Sequence, residues 1–202
     1  MRTSLFTAGA VAIAAALTLA GPAQAAESDA QLSVLHGVPG LTVDVWVNGE
    51  RTLDDFAPGT LAGPLALPAG AYDLAITAAD AADASAPVIG PVTVNLAANG
   101  NYTAVANLDA EGTPTANFFT NDVSQIDPGK GKLTVRHTAA APAVDVLAGG
   151  APVISGLTNP NEETLTLDPG TLSVSVAAAG TTAPVIGPAD VTVAEGTHTV
   201  VY

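Results

Sequence analysis

Short segments in which apolar and polar residues alternate run through the chain from residue 31 onward. In the segment 32–36 Leu, Val and His occupy every second position, and in 42–48 valines alternate with polar or aromatic residues. A period of two residues is typical of a strand with one buried face. Gly, Pro and Asn separate these segments, and no segment has the period of a helix, so the pattern predicts an all-β antiparallel sandwich. In the first half we expect strands over residues 32–36, 42–48, 52–56, 61–67, 71–78, 88–96, 102–106 and 115–120, with a loop over 79–86.

Two Asn-Gly pairs, Asn48-Gly49 and Asn99-Gly100, predict tight hairpin turns. A two-residue hairpin turn needs a positive φ at both central positions, and Asn and Gly adopt it most readily. We therefore expect each pair to join two neighbouring strands of one sheet.

The chain repeats its opening stretch, since residues 32–49 recur at 133–150 without a gap. A repeat of this length, 101 residues, suits a small β domain and is too long for a solenoid unit. Later segments also recur, since Leu67–Gly70 corresponds to 167–170, Ala86–Pro91 to 183–188 and Gly100–Thr103 to 196–199. On this alignment Tyr202 corresponds to Ala106. The positions shared by the two opening stretches are Leu32/Leu133, Val34/Val135, His36/His137, Val43-Asp44-Val45/Val144-Asp145-Val146 and Gly49/Gly150.

This repeat divides the chain into two tandem sandwich domains. We expect a signal peptide over residues 1–25, a first domain over 26–126, a linker over 127–131 and a second domain over 132–202. The second domain is shorter and has no counterpart of the 115–120 strand. Its sheet edge would then be open to a strand from another chain, including self-association through residues 197–202.

The first 25 residues have the pattern of a secretory signal. A positive Met1-Arg2 precedes an apolar run over 5–20, and Ala23-Gln24-Ala25 forms a cleavage site of small residues. No later apolar run is long enough to span a bilayer. We therefore expect cleavage after Ala25 and a secreted or cell-envelope location.

Charge and composition exclude several classes of function. The net charge is −14, with 19 acidic and five basic residues, so the chain should not bind nucleic acid. There is no cysteine, which removes thiolate catalysis and thiolate metal sites. Aromatic residues make up only 4% of the chain, so aliphatic side chains must fill the cores.

The motifs of the two copies resemble a bacterial family, the domain-of-unknown-function family 4397. In the first copy the resemblance rests on Val34-x-His36, Val43–Val45, Asn48-Gly49 and Leu67–Tyr72, together with the 118–122 end. In the second it rests on Val135-x-His137, Val144-Asp145-Val146 and Leu167–Gly170, with Leu172 instead of a tyrosine and Gly149-Gly150 instead of Asn-Gly. The resemblance implies exported, often tandem domains of immunoglobulin-like or prealbumin-like type. It implies no activity and no catalytic residues.

His36 with Asp44, repeated as His137 with Asp145, is the sharpest candidate site. A His–carboxylate pair can serve acid–base catalysis or supply part of a metal site. However, no nucleophilic serine recurs beside it, and each copy offers a single histidine where zinc needs three or four ligands. We expect structural polar residues, with the histidine bonded to the following loop or to the aspartate, and no catalytic, metal or cofactor site.

Three further features have a functional and a structural interpretation. Carboxylate clusters at 54–55, 80–83 and 162–163 offer calcium ligands, but none has the spacing of a calcium loop. Trp46 and Tyr72 could stack on a sugar, although Leu147 replaces Trp46 in the second copy. The repeated Ala-Pro-Val-Ile-Gly-Pro could be a recognition strip or an edge strand.

These observations favour a non-enzymatic, exported interaction or structural module. Its expected partner is an extracellular protein or a glycan. A carbohydrate-binding or enzyme-accessory module is the alternative.

Overall fold

The computed structural model describes residues 28–202 as a succession of fifteen strands. The predicted signal peptide over 1–25 lies outside the described residues. In chain order the strands are β1 (Ala30–His36), β2 (Val43–Val47), β3 (Glu50–Phe56), β4 (Leu61–Leu67), β5 (Gly70–Ala78), β6 (Ile89–Leu96), β7 (Asn101–Leu108), β8 (Pro114–Thr120), β9 (Gly131–Arg136), β10 (Val144–Ala148), β11 (Ala151–Leu157), β12 (Glu162–Leu167), β13 (Gly170–Ala178), β14 (Pro184–Val193) and β15 (His198–Val201).

Each copy of the repeat forms two sheets. The first copy contains sheet I, with strand order β4-β1-β7-β8, and sheet II, β3-β2-β5-β6. The second contains sheet III, β12-β9-β15, and sheet IV, β11-β10-β13-β14. Most strand pairs are antiparallel, and β1 with β7 and β9 with β15 are parallel. The predicted all-β class with two tandem sandwiches is confirmed, and over residues 28–202 there is no helix that could cross a membrane.

Each sandwich encloses its own apolar cluster. In the first, Leu32 and Val34 of sheet I face Val45 and Ile76 of sheet II. In the second, Leu133 and Val135 of sheet III face Val146 of sheet IV. Aliphatic side chains in alternate positions of both sheets therefore supply the driving force for folding.

The two predicted hairpins have different outcomes. Asn48 and Gly49 have φ of 51° and 80° and join β2 to its sheet neighbour β3, as expected. Asn99 also has a positive φ, 60°, but β6 lies in sheet II and β7 in sheet I. The hairpin prediction at Asn99-Gly100 was wrong, because this turn carries the chain from one sheet to the other.

The strand register corrects the alignment of the last strands by one residue. Leu32 pairs with Tyr102, and the equivalent Leu133 pairs with Thr199. Thr199 therefore takes the place of Tyr102, and Tyr202 that of Val105 rather than Ala106. The sequence alignment had matched His198 to Tyr102, whose side chain faces the core. Because side chains alternate between faces, the shift of one residue puts His198 on the outer face of sheet III instead.

Candidate functional site

His36 fixes the loop that follows β1. Its side chain is 1% exposed, and Nε2–H donates to the Leu41 carbonyl at 2.6 Å. Nδ1 accepts from the Val38 amide at 3.4 Å, and the ring stacks on Phe56 with centroids 5.8 Å apart. These contacts satisfy both ring nitrogens in the interior, as a buried imidazole requires.

His137 repeats this arrangement in the second copy. It is also buried, and its Nε2–H donates to the Pro142 carbonyl at 3.0 Å. Both histidines thus reach a carbonyl five residues ahead, and both close the loop that leads into the other sheet. The repeated histidine therefore reproduces the same loop geometry in both copies.

The two aspartates bind other partners. Asp44, 0% exposed, accepts from Arg51 Nη1 at 3.0 Å and from the Asp55 amide at 2.9 Å. This hydrogen bond to Asp44 raises the pKa of Arg51, with a further contribution from the charge of Asp54. His36 ends β1 in sheet I and Asp44 lies on β2 in sheet II, and the structure does not bring the two side chains together as a dyad.

Asp145 likewise bonds to backbone rather than to its histidine. Its two carboxylate oxygens accept from the amides of Gly156 at 2.7 Å and Gly180 at 2.8 Å. A carboxylate satisfied by main-chain donors fixes the strands and loops that carry those donors. The role of this residue in the described structure is therefore to hold backbone.

The carboxylate clusters are separate, and one residue of each, Asp54, Asp83 or Glu162, is bonded to a neighbouring group. Asp54 pairs with Arg51 at 3.0 Å, and Asp83 accepts from the Ser85 amide at 2.9 Å. Hydrogen bonds from Ser85 hold the pKa of Asp83 below its usual value. Between residues 28 and 202 no three His, Asp or Glu side chains converge as a metal site would require.

Trp46 offers no open ring face for a sugar. The residue is 6% exposed, and its indole N–H donates to Thr77 Oγ1 at 2.9 Å. The Arg51 guanidinium lies 5.6 Å from the centre of the ring. Tyr72 packs against the first core with its hydroxyl donating to the Pro68 carbonyl, so the two aromatic residues do not form an exposed platform.

Arg136 lies where the two sandwiches meet. It is 2% exposed, and its guanidinium lies 4.4 Å from the centre of the Phe119 ring. It donates to Glu162 at 2.6 Å, to the Tyr202 hydroxyl at 2.7 Å and to Asn121 Oδ1 at 2.7 Å. Strands β9 and β12, the residue that follows β15 and the end of the first copy are thereby joined through one cation.

Asp122 adds a second link across the same junction. Its carboxylate pairs with Lys132, which also donates to Ser124 at 3.2 Å. The hydrogen bonds from Lys132 and Ser124 hold the pKa of Asp122 well below its usual value. The carbonyl of Asp122 accepts from His198 Nδ1 at 3.0 Å. The segment that follows β8 is thus attached to β9 and β15.

Every described cation is already paired. Arg51, Lys130, Lys132 and Arg136 are the basic residues of positions 28–202, and each forms an ion pair with at least one carboxylate. The remaining surface of the described chain therefore presents unpaired carboxylates and no lysine or arginine free of a carboxylate. Such a surface attracts cationic partners and repels a like-charged one.

The outer edge of β15 carries no further strand in the described residues. In the first copy β7 lies between β1 and β8, whereas the equivalent β15 pairs only with β9. We call this feature the β15 edge, formed by the outward backbone groups of His198 and Val200. A strand edge of this kind is a template for strand addition.

The same hexapeptide is buried in one copy and exposed in the other. Ile89 of Ala86–Pro91 is 8% exposed, and Ile186 of 183–188 is 65% exposed. Both occupy the same position, since Ile89 pairs with Ile76 and Ile186 with the equivalent Val176. In the first copy β6 lies against β8, and Ile89 and Ala116 line one small cavity of about 30 Å³. The cover that β8 provides has no counterpart in the described second copy.

The hexapeptide itself forms an irregular edge. Gly90 and Gly187 have φ of 90° and 86°, and a Cβ at either would lie 2.7 or 2.8 Å from a carbonyl oxygen of the neighbouring strand. The register shifts at both places, and irregular edges of this kind discourage strand addition. Sheet III differs from these edges, because both of its strand pairs keep a regular register, as the β7–β8 pair of sheet I also does.

Sequence reasoning missed Arg136 and Ile186. Arg136 could have been suspected from its phase, since it lies between two core-facing residues on a central strand and so points to the outer face. Nothing in the local sequence separates Ile186 from Ile89, because the two hexapeptides are identical. The available signal was that no described residue of the second copy corresponds to β8, which leaves Ile186 without the cover that Ile89 has.

Comparison with known proteins gives a family and no activity. A family model described as "Domain of unknown function (DUF4397)" matches residues 30–147. The match runs from the start of β1 through nearly all of β10. No curated protein matches the chain.

Proposed function

We propose that this chain, which belongs to the family Domain of unknown function (DUF4397), is an exported, non-catalytic module that binds an extracellular or cell-envelope partner through its second sandwich. The first sandwich would serve as a closed support, and the second as the binding unit. The charge of −14 and the absence of free basic residues on the described surface make nucleic acid an unsuitable partner.

The observation that carries this proposal is the exposure of Ile186. A large aliphatic residue that is 8% exposed in one copy and 65% exposed in the other marks apolar surface that lacks a cover. Exposed apolar surface beside an unpaired strand edge is typical of an interaction site. The most exposed large apolar residues of the described second copy, Val185 and Ile186, both lie on β14.

The non-catalytic part of the proposal rests on the engagement of the polar residues. The side chains of His36, Asp44, His137 and Asp145 are all bonded to neighbouring backbone or to Arg51. A catalytic group needs a face turned toward a substrate. These four side chains are buried instead and act on the loops around them.

The proposal is tested by capturing partners with the 26–202 protein from the envelope and medium of the producing organism. Wild type is compared with Ile186→Asp and with Leu61→Asp, a control at an apolar residue of β4 that is 61% exposed. We expect a partner, identified by mass spectrometry, that wild type and the Leu61 variant retain and the Ile186 variant loses. Equal capture by all three proteins would contradict the proposal.

The same samples address location and the carbohydrate alternative. A product that begins at Ala26 in the medium or envelope supports export. Soluble glycans should leave Trp46 fluorescence unchanged, because the indole is buried against Thr77. Quenching by a glycan would instead favour the carbohydrate-binding role.

A further inference from the structure

We infer that the β15 edge and Ile186 form a groove that accepts one extended, positively charged segment of a partner protein as an added strand. This inference rests on the proposed function and names the chemistry of its partner. The partner strand would run antiparallel to β15 and complete the second sandwich as β8 completes the first.

The first copy supplies the template for this binding mode. There β8 runs antiparallel to β7, with Phe118 paired to Ala104 and the Asn121 amide donating to the Asn101 carbonyl at 2.8 Å. Phe118 points inward and stacks on Tyr102 with ring centroids 5.1 Å apart. Main-chain hydrogen bonds and one aromatic side chain thus attach β8.

The second copy presents matching backbone groups. The Thr197 carbonyl accepts from the Lys132 amide at 2.9 Å, as the Gly100 carbonyl accepts from Gln31 in the first copy. Backbone groups of successive residues in a strand point to opposite sides. The N–H and C=O groups of His198 and Val200 therefore point away from β9. They occupy the places from which Asn101 and Thr103 bond to β8.

The side chains around the groove leave room for an inserted aromatic ring. Thr199 takes the place of Tyr102, and Val176 that of Ile76, so both positions carry smaller residues. A residue of the incoming strand opposite Val201 would point inward, as Phe118 does opposite Ala104. In the first copy the β8 residue beside Ile89 and Ile76 is Ala116, two positions before Phe118, so the residue two positions before this ring would cover Ile186 and Val176. The preferred segment therefore alternates apolar with polar residues and places an aromatic ring in this phase.

Charge selects the partner over a second copy of the chain. The four described cations are already paired with carboxylates, and the net charge of the chain is −14. Two copies would bring like charges together without a lysine or arginine to offset them. A segment with lysine or arginine beside its apolar residues would be attracted instead.

The test uses three synthetic peptides that contain the β8 sequence Pro-Thr-Ala-Asn-Phe-Phe-Thr. One carries two lysines at each end, one carries two glutamates at each end, and one has lysines with the residue that corresponds to Phe118 replaced by aspartate. Each is titrated into the 26–202 protein at low and high salt by fluorescence anisotropy. We expect the lysine peptide to bind about tenfold or more tightly than either other peptide, with a preference over the glutamate peptide that salt reduces.

Protein variants locate the binding site. Val200→Pro removes an outward N–H and should abolish binding, whereas the Leu61→Asp control should bind as wild type does. If thermal unfolding shows that Val200→Pro is misfolded, Ile186→Asp replaces it, since that side chain is exposed. If Val200→Pro and Ile186→Asp both bind the peptide as wild type does, the peptide binds elsewhere and the inference is overturned.

Two other results would also overturn it. Dimerisation of the protein without peptide that Val200→Pro or Ile186→Asp abolishes would make a second copy the occupant. Failure of all three peptides to bind, while Ile186→Asp still loses a captured partner, would refute the added strand and leave the proposed function standing. If no peptide binds and Ile186→Asp loses no captured partner, both the added strand and the proposed function are refuted.

Discussion

At the scale of single residues, the repeated histidine acts on backbone. His36 and His137 each donate to a carbonyl five residues ahead, and both are nearly inaccessible to solvent. Each of these hydrogen bonds is partly buried, and a partly buried polar group that loses its partner is not fully compensated for its desolvation. The histidines therefore matter for the position of the loops that connect sheets I and II, and sheets III and IV.

His36→Phe should consequently destabilise the protein. We expect the free energy of unfolding in urea to fall by about 1–3 kcal/mol, because the partly buried hydrogen bond from His36 to the Leu41 carbonyl is lost. His36→Gln keeps an N–H donor and should lose less. A phenylalanine variant as stable as wild type would show that the loop does not need this bond.

Lysine should not be able to replace Arg136 without a loss of stability. Its planar guanidinium bonds Glu162, Tyr202 and Asn121 at once and stacks on Phe119, which an ammonium group cannot reproduce. Arg136→Lys should lower the free energy of unfolding by about 1–3 kcal/mol in urea denaturation. As a control, Lys130→Arg retains its exposed pair with Asp168 and should leave stability unchanged. Equal stability of both variants would contradict a special role for Arg136.

At the scale of elements, alternation predicted the strands well because each core-facing strand has one apolar side. Ala30–His36, Leu61–Leu67 and Pro114–Thr120 lie within two residues of their expected bounds. Pairing was predicted less well, because Asn99-Gly100 has the local signal of a hairpin whether or not its strands share a sheet. The one-residue error at β15 has the same cause, since local similarity to Gly100–Thr103 does not encode the register with β9.

The backbone crowding at Gly187 of β14 can be tested against Gly150, a glycine of nearly the same φ. Gly187 and Gly150 have nearly equal φ, 86° and 85°, but only at Gly187 would a Cβ meet backbone, at 2.8 Å from the Val174 carbonyl oxygen. Gly150→Ala should cost about 1 kcal/mol from its φ alone, and Gly187→Ala clearly more. Thermal unfolding of the two variants measures the difference, and equal losses would mean that β14 shifts to accommodate the methyl group.

At the scale of the whole molecule, Arg136 and the Lys132–Asp122 pair join the two sandwiches. Hydrogen bonds from Lys132 and Ser124 lower the pKa of Asp122 in the folded protein below its unfolded value near 3.8. A depressed folded pKa stabilises the fold above the unfolded pKa, and this contribution disappears as pH falls below it. Acid should therefore weaken the junction.

This acid effect should depend on Asp122. The wild-type unfolding temperature should fall below about pH 4, and Asp122→Asn should be less stable than wild type at pH 7 and approach it at low pH. Asp168, whose pKa the exposed Lys130 also lowers, provides the control, because Asp168→Asn lies away from the junction. If both variants give the same profile from pH 2 to 7, the junction is not the source of the acid sensitivity.

The difference between the two sandwiches was only partly predictable from sequence. The alignment shows that no described residue of the second copy corresponds to Pro114–Thr120, but it does not show the exposure of Ile186. Burial depends on what lies across the sandwich, and β8, which lies against β6 beside Ile89, is distant from it in sequence. Identical hexapeptides can therefore differ in exposure, and only the three-dimensional arrangement distinguishes them.

Amide hydrogen exchange at Val200 tests the central claim, that the second sandwich is open where the first is closed. The equivalent Thr103 faces β8 in the first copy, so its amide should exchange slowly. We predict rapid exchange at Val200 in the free protein and slow exchange once the lysine-flanked β8 peptide is added. Slow exchange at Val200 in the free protein would show that the edge is already occupied and would contradict the account.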